Sequence, residues 1–212
     1  MSQTRDWRKV RAEVKDFVEN EVYPAESILN ERSEESNQKL KELMGKAKEK
    51  NLWALGHPED IGGQGMPFME YVYVNEVVGR SSPAIVALGT HSLQDSIMLR
   101  EFASDRWRDA YLGPLVAGEI FPSFGMTEPD TASSDPTQLQ TAAVLEDGEW
   151  VINGRKWFTS GAARAAYTTV MVRTEPDNPG HGAFSMIIVP TDNPGYKIVR
   201  ETPVLGINGG HY

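Results

Sequence analysis

Apolar residues recur every three or four positions from residue 4 to about residue 118, and beyond Gly118 that spacing gives way to short β-branched runs punctuated by turn residues. A chain that changes period in this way must build a helical part and then a sheet part. Trp7, Val10, Val14, Phe17, Val18 and Val22 form one helical stripe, which Pro24 ends. A second amphipathic helix is expected over 35–51, where lysines coat the face opposite Leu40, Leu43, Met44 and Ala47. After the glycine cluster 61-IGGQGMP-67, residues 68–80 predict a helix with so little polar surface that burial between other helices is expected. Further helices are expected over 83–103, opening on an early proline, and over 105–119.

In the second half Asp147-Gly148 stands between two apolar runs, 140–146 and 149–154, which is a two-residue hairpin signal. Asn153-Gly154 predicts a second turn into 155-RKWFTSG-161. A first strand is expected from Phe121 to Met126, and later ones over 166–174, 183–190 and 195–201. The expected fold class is α+β: an all-α helical domain over 1–120, then a small antiparallel β domain, a barrel or a sandwich, over 121–212. No internal repeat of solenoid or propeller spacing is present.

A length of 212 residues with 40% hydrophobic content can supply real cores. Thirty acidic against 21 basic side chains, a net charge of −9, argue against a nucleic-acid or anionic-membrane binder, which needs clustered positive charge. The absence of cysteine excludes disulfides, thiolate metal sites and thiol nucleophiles. Neither a leader nor a membrane span is expected, and the cytoplasm is the simplest compartment. The histidines, at 57, 91, 181 and 211, lack the paired spacing of zinc sites, so no metal is expected.

Two stretches carry candidate chemistry. The first, 124-FGMTEPDTASSD-135, leaves the end of a strand with hydroxyls and backbone amides that can converge on a flat heterocycle bearing acceptors. A loop of this composition can also satisfy only its own backbone. The second, 156-KWFTSG-161, places Trp157 and Thr159 on one face if it is a strand, one to stack and one to hydrogen-bond. A lone tryptophan is also a common core residue.

Taken in order, the run ending YLGPLVAGE, then FGMTEPDTASSD, then VINGRKWFTSG resemble the acyl-CoA dehydrogenase family. NLWALGHPEDIGGQG and IIVPTDNPGYKIV extend the likeness over nearly the whole chain. The resemblance implies FAD-dependent α,β-dehydrogenation of an acyl-CoA thioester in fatty-acid β-oxidation, with electrons passed to an electron-transfer flavoprotein. It places Phe124, Met126 and Thr127 at the flavin ring, with Thr127 and backbone amides on the pyrimidine edge. Trp157 would pack on a ring face and Thr159 would bond near the reactive nitrogen. Ser134 would meet the pantetheine-phosphate arm of CoA, but the loop is one residue longer than the commonest form, so Ser133 and Ser134 compete for that contact.

The family continues beyond such a β domain into a second helical bundle carrying the catalytic base and much of the FAD and oligomer contacts. The expectations here are therefore an incomplete β domain, no catalytic residue and no activity from these 212 residues alone. Glu128 is expected to order its loop, and His91 and His211 to be structural or exposed. Val86, Leu88, Leu93 and Met98 are candidates for an acyl pocket or for plain core. A homo-oligomer, or pairing with a full-length subunit, is expected. Two alternatives stand beside this reading: a non-catalytic assembly subunit, and an acyl-CoA oxidase or flavin monooxygenase on the same scaffold. The mitochondrial matrix is the alternative compartment.

Overall fold

Asp6 starts the first helix by accepting the Arg8 amide at 3.0 Å, and α1 (Trp7–Phe17) then buries Val10, Val14 and Phe17. The computed structural model describes residues 5–31, 33–133, 135–178, 180–204 and 210–212. A π turn over Val18–Val22 carries α1 into a 3-10 turn, Tyr23–Ala25, and the short α2 (Glu26–Leu29). Ser33 caps α3 (Glu34–Glu49), which turns Leu43, Met44 and Ala47 inward. These side chains meet Leu52 to Leu55, then α4 (Phe68–Val78) and α5 (Ser82–Ala87), in one apolar core. The chain divides into two compact units, 1–119 and 120–212, and this core belongs to the first.

The α4 helix departs from the expected burial on all sides. Tyr71, Val74, Val77 and Val78 pack inward, while Phe68 is 74% exposed and Met69 62% exposed, with Val72 and Tyr73 also outside. A helix apolar all round gives no polar face by which sequence can choose its buried stripe. The helix expected over 83–103 is interrupted: α5 ends, Gly89 turns with φ +74°, and α6 (Leu93–Phe102) follows a 3-10 turn. A Cβ on Gly89 would stand 2.8 Å from the Trp53 ring, so the break lets the chain pass close over that indole. Leu88 lies in the core and Leu93 packs against it, whereas Val86 and Met98 are half-buried. The last helix of the unit, α7 (Asp105–Ala117), receives the Trp53 indole N–H on the Val116 carbonyl at 2.8 Å.

His57 is fully buried in this unit. Its Nε2 lies 3.0 Å from Ser92 Oγ, and because that hydroxyl donates to the Gly89 carbonyl, the imidazole is the donor of the pair. Nδ1 finds no partner among the described residues, and burial pulls the His57 pKa down to about 4.

The second unit holds a five-stranded sheet: β1 (Pro122–Gly125), β2 (Ala142–Glu146), β3 (Glu149–Asn153), β4 (Tyr167–Arg173) and β5 (Phe184–Pro190). Asp147 and Gly148, with φ +50° and +86°, make the expected tight hairpin between β2 and β3. β5 pairs antiparallel with the whole of β4. The other edge of β4 is shared by β1, in register from Pro122↔Tyr167 to Gly125↔Val170, and by β2 at Ala142↔Arg173 alone. Both of these pairings are parallel, so the sheet is mixed rather than antiparallel, and its described strands do not close into a barrel. Turn signals speak only for strands adjacent in sequence, and β1 reaches β4 across the intervening hairpin. The helical part followed by a sheet part stands as expected.

Two expected strands are absent. Residues 155–161 carry no strand beyond a bridge at Ser160, and 196–200 carry none, with Ile198 and Val199 exposed. No turn is present at Asn153-Gly154 either; β3 ends at Asn153 and the chain continues without regular structure to Trp157. Ala143, Val170 and Val172 are the buried centre of the sheet, flanked by Ile152, Ile187 and Val189. Among the described residues no helix is long and apolar enough to cross a membrane.

Candidate functional site

Glu128 and Lys156 tie the two quoted stretches together. The carboxylate accepts from the Gln140 amide at 2.8 Å, the Thr141 amide at 2.9 Å and Lys156 Nζ at 2.8 Å, and Lys156 also donates to the Met126 carbonyl at 2.9 Å. Their side chains are only 5% and 10% exposed. Burial opposes ionisation of Glu128, but the Lys156 ammonium and the surrounding donors outweigh it and bring the carboxyl down to about 2. Burial draws Lys156 below its ordinary value against the opposing pull of Glu128. A carboxylate so weakly basic and so fully engaged holds a loop and does not abstract protons.

Ser133 is engaged in the same way. Its hydroxyl accepts the Glu128 amide at 2.7 Å, pairs with Thr131 Oγ1 at 2.7 Å, and faces the Thr131 and Glu128 carbonyls at 3.1 and 3.2 Å. Most of the bonding capacity of this hydroxyl is thereby spent inside the loop. Asp135 accepts from the Thr137 amide and hydroxyl, at 3.0 and 2.7 Å, and caps the following turn. Much of this loop therefore satisfies its own backbone, the blander of the two readings its composition allowed. Ser134 lies outside the described residues.

Thr127 and Trp157 are bonded reciprocally: the Trp157 amide donates to the Thr127 carbonyl at 3.0 Å, and the Thr127 hydroxyl donates to the Trp157 carbonyl at 2.8 Å. With its proton so committed, Thr127 Oγ1 can only accept from a ligand. Trp157 is half-buried and meets the exposed Phe158 ring edge-on at 4.8 Å. Phe158 has φ +52°, a left-handed conformation rare for a bulky residue. That reversal breaks the two-residue alternation, so Trp157 and Thr159 are not set side by side by strand geometry as the sequence suggested. Thr159 is buried, and its amide donates to the Tyr212 carbonyl at 2.8 Å, leaving the hydroxyl as the group it can offer. Phe124 sits on the half-buried face of β1, and Met126, two residues on, is also half-buried.

The structure thus brings Thr127 against Trp157 directly and ties Met126 to them through Lys156. A flat ring bearing an imide N–H between two carbonyls suits these groups: an acceptor-only hydroxyl at Thr127, the half-buried indole of the residue bonded to it and an available hydroxyl at Thr159. Sequence reasoning missed Lys156, although it lies inside the quoted KWFTSG stretch, because a lysine beside an aromatic reads as solvent-facing. It also passed over Ser123, whose hydroxyl donates to the Ser160 carbonyl at 2.9 Å.

Comparison with known proteins gives two family matches, to the acyl-CoA dehydrogenase N-terminal domain over residues 4–119 and to the acyl-CoA dehydrogenase middle domain over 123–211. The probable acyl-CoA dehydrogenase FadE2 of Mycobacterium tuberculosis is 35% identical over 95% of this chain and 52% of its own length. A solved Mycobacterium abscessus protein assigned to the acyl-CoA dehydrogenases superposes with a TM-score of 0.88 at 31% identity, over all of this chain and 57% of its own. The ChsE4–ChsE5 complex of M. tuberculosis follows with a TM-score of 0.76 at 25% identity, over all of this chain and 53% of the matched one. The chain spans about half the length of these relatives.

Proposed function

Because the chain belongs to the acyl-CoA dehydrogenase family, we propose that it carries the flavin-facing half-site of an FAD-dependent enzyme that dehydrogenates an acyl-CoA thioester between its α and β carbons. The observation that carries this reading is the reciprocal Thr127–Trp157 pair, which joins the two motif stretches and leaves the Thr127 hydroxyl able only to accept from a ligand. When bound, FAD supplies the acceptor for the hydride that leaves the β-carbon as the α-proton is removed.

Thr127 Oγ1 accepts the imide N–H of the pyrimidine edge, Trp157 covers a ring face and excludes water from it, and Thr159 donates near the reactive nitrogen. Phe124 and Met126 border the ring. Thr127, as an acceptor, would fix the orientation of the ring, and backbone amide donors held in advance on the same edge would stabilise the negative charge that develops there without reorganising at the moment of reaction. Glu128 and Lys156 keep these loops in place. Ser133 and Ser134 are the two candidates for the contact to the pantetheine-phosphate arm. No residue of this chain is assigned as the base that removes the α-proton.

Electrons leave for an electron-transfer flavoprotein, and the working protein is an oligomer. The ChsE4–ChsE5 neighbour, a complex of two named chains, supports assembly with a second subunit. The native mass of the complex in its source decides between like and unlike partners. The flavin reading is tested by FAD fluorescence titration of the wild-type chain and of Thr127→Val: saturable quenching that the substitution weakens supports it, and quenching indifferent to Thr127 refutes the assigned contact.

A further inference from the structure

Phe158 at φ +52° and Gly161 at φ +74° give the Thr159 loop two left-handed turns within four residues. For Phe158 this conformation is locally unfavourable, so contacts from outside the loop must impose it. On one side the holder is Thr127, through its two bonds to Trp157. On the other it is a segment some fifty residues away in sequence. The Thr159 amide donates to the Tyr212 carbonyl at 2.8 Å, the Gly161 amide to the Gly210 carbonyl at 2.7 Å, and Ser160 and His211 face each other as an antiparallel bridge. The Ser160 hydroxyl lies 2.9 Å from His211 Nδ1. His211 is itself anchored, since its carbonyl accepts the Thr202 amide at 2.7 Å, and the Ser160 carbonyl is held from below by Ser123 of β1.

We infer that residues 210–212 form a clasp that fixes the position of the Thr159 hydroxyl, and that the His211–Ser160 side-chain pair is its pin. His211 is a positioning residue, acting on a ligand through Thr159. The consequence for the flavin rests on the function proposed above; the clasp itself does not. Opening the pin frees Phe158 to return to negative φ, which displaces the neighbouring Thr159 and loosens the edge of the Trp157 platform.

The test uses His211→Leu, which keeps bulk without a polar atom, His211→Asn, whose amide can stand where Nδ1 stands, Ser160→Ala, and the Leu/Ala double variant. Amide hydrogen exchange at Thr159 and Gly161, measured without cofactor, reads the clasp; FAD affinity and the position of the visible flavin band read its consequence. His211→Leu is expected to speed exchange and weaken FAD binding by about tenfold each, the scale of one hydrogen bond. Asn should restore both, and the double variant should be no worse than either single one, because the two side chains act as one pair. Unchanged exchange at Thr159 and Gly161 in His211→Leu overturns the clasp. Faster exchange with unaltered FAD affinity and flavin band overturns the positioning role. A wild-type chain that takes up no FAD overturns the positioning role for this chain, and the exchange measurement still decides the clasp.

Discussion

Replacing Glu128 by Gln should destabilise the sheet unit by about 3 to 5 kcal/mol, the usual penalty for leaving a buried charge without its partner. The structure gives the terms. Lys156 is 10% exposed, and its remaining acceptor would be the Met126 carbonyl. The Gln amide could still accept with its oxygen, but its NH2 would then face a backbone N–H that now donates to the carboxylate. An independent route reaches the same size: holding the carboxyl near 2 instead of its ordinary 4.5 corresponds to about 3 kcal/mol. Because the folded value lies below the unfolded one, this contribution is complete above pH 4.5 and disappears as pH falls toward 2. Hydrogen exchange of the β4 amides in increasing urea reports the stability of this unit separately from the helical one. Glu128→Gln should lower it and reduce its dependence on pH between 4.5 and 2, and adding Lys156→Met should recover most of the loss. A loss under about 1 kcal/mol, the worth of an exposed ion pair, would refute the reasoning.

The helical unit should show a different acid limb. Burial holds the His57 pKa near 4 against an ordinary 6.5, so the neutral imidazole supports the fold above pH 6.5 and that support, up to about 3 kcal/mol, is lost as pH falls toward 4; urea unfolding followed by helical circular dichroism should lose this limb in His57→Gln. Gly89→Ala should cost about 1 to 3 kcal/mol, since φ is +74° and the new methyl would stand 2.8 Å from the Trp53 ring; a thermal melt within a degree of wild type would contradict this. Thr127→Val should weaken FAD binding about tenfold or more by removing both the bond to Trp157 and the acceptor, while Thr127→Ser stays near wild type; the same fluorescence titration measures both.

How far the sequence could be read follows from what each signal encodes. The stripe Val10, Val14, Phe17 and the turn Asp147-Gly148 are local, and both appear where expected. Pairing between strands distant in sequence is not local, which is why the parallel β1–β4 edge was missed. The α4 helix failed for a different reason: with apolar residues on every side, its period carries no information about which stripe is buried. In the candidate site, Thr127, Trp157 and Thr159 stand out in the sequence as a motif, and the structure joins the first two by hydrogen bonds. Their setting was not, because Lys156, Ser123 and His211 act through contacts that only the fold creates. Ser133 shows the converse: a hydroxyl that suits a ligand by type is also bonded within its own loop.

The decisive measurement is a nitrogen-15 NMR titration of the labelled chain with FAD, following the indole N–H signals of Trp7, Trp53, Trp107, Trp150 and Trp157 together with the Thr127 and Thr159 amides. If these loops form a flavin site, the Trp157 indole and the two threonine amides shift first and saturate together. If Trp157 and both threonines stay unmoved at FAD concentrations that shift any other signal, the flavin does not bind there and the proposed half-site is wrong.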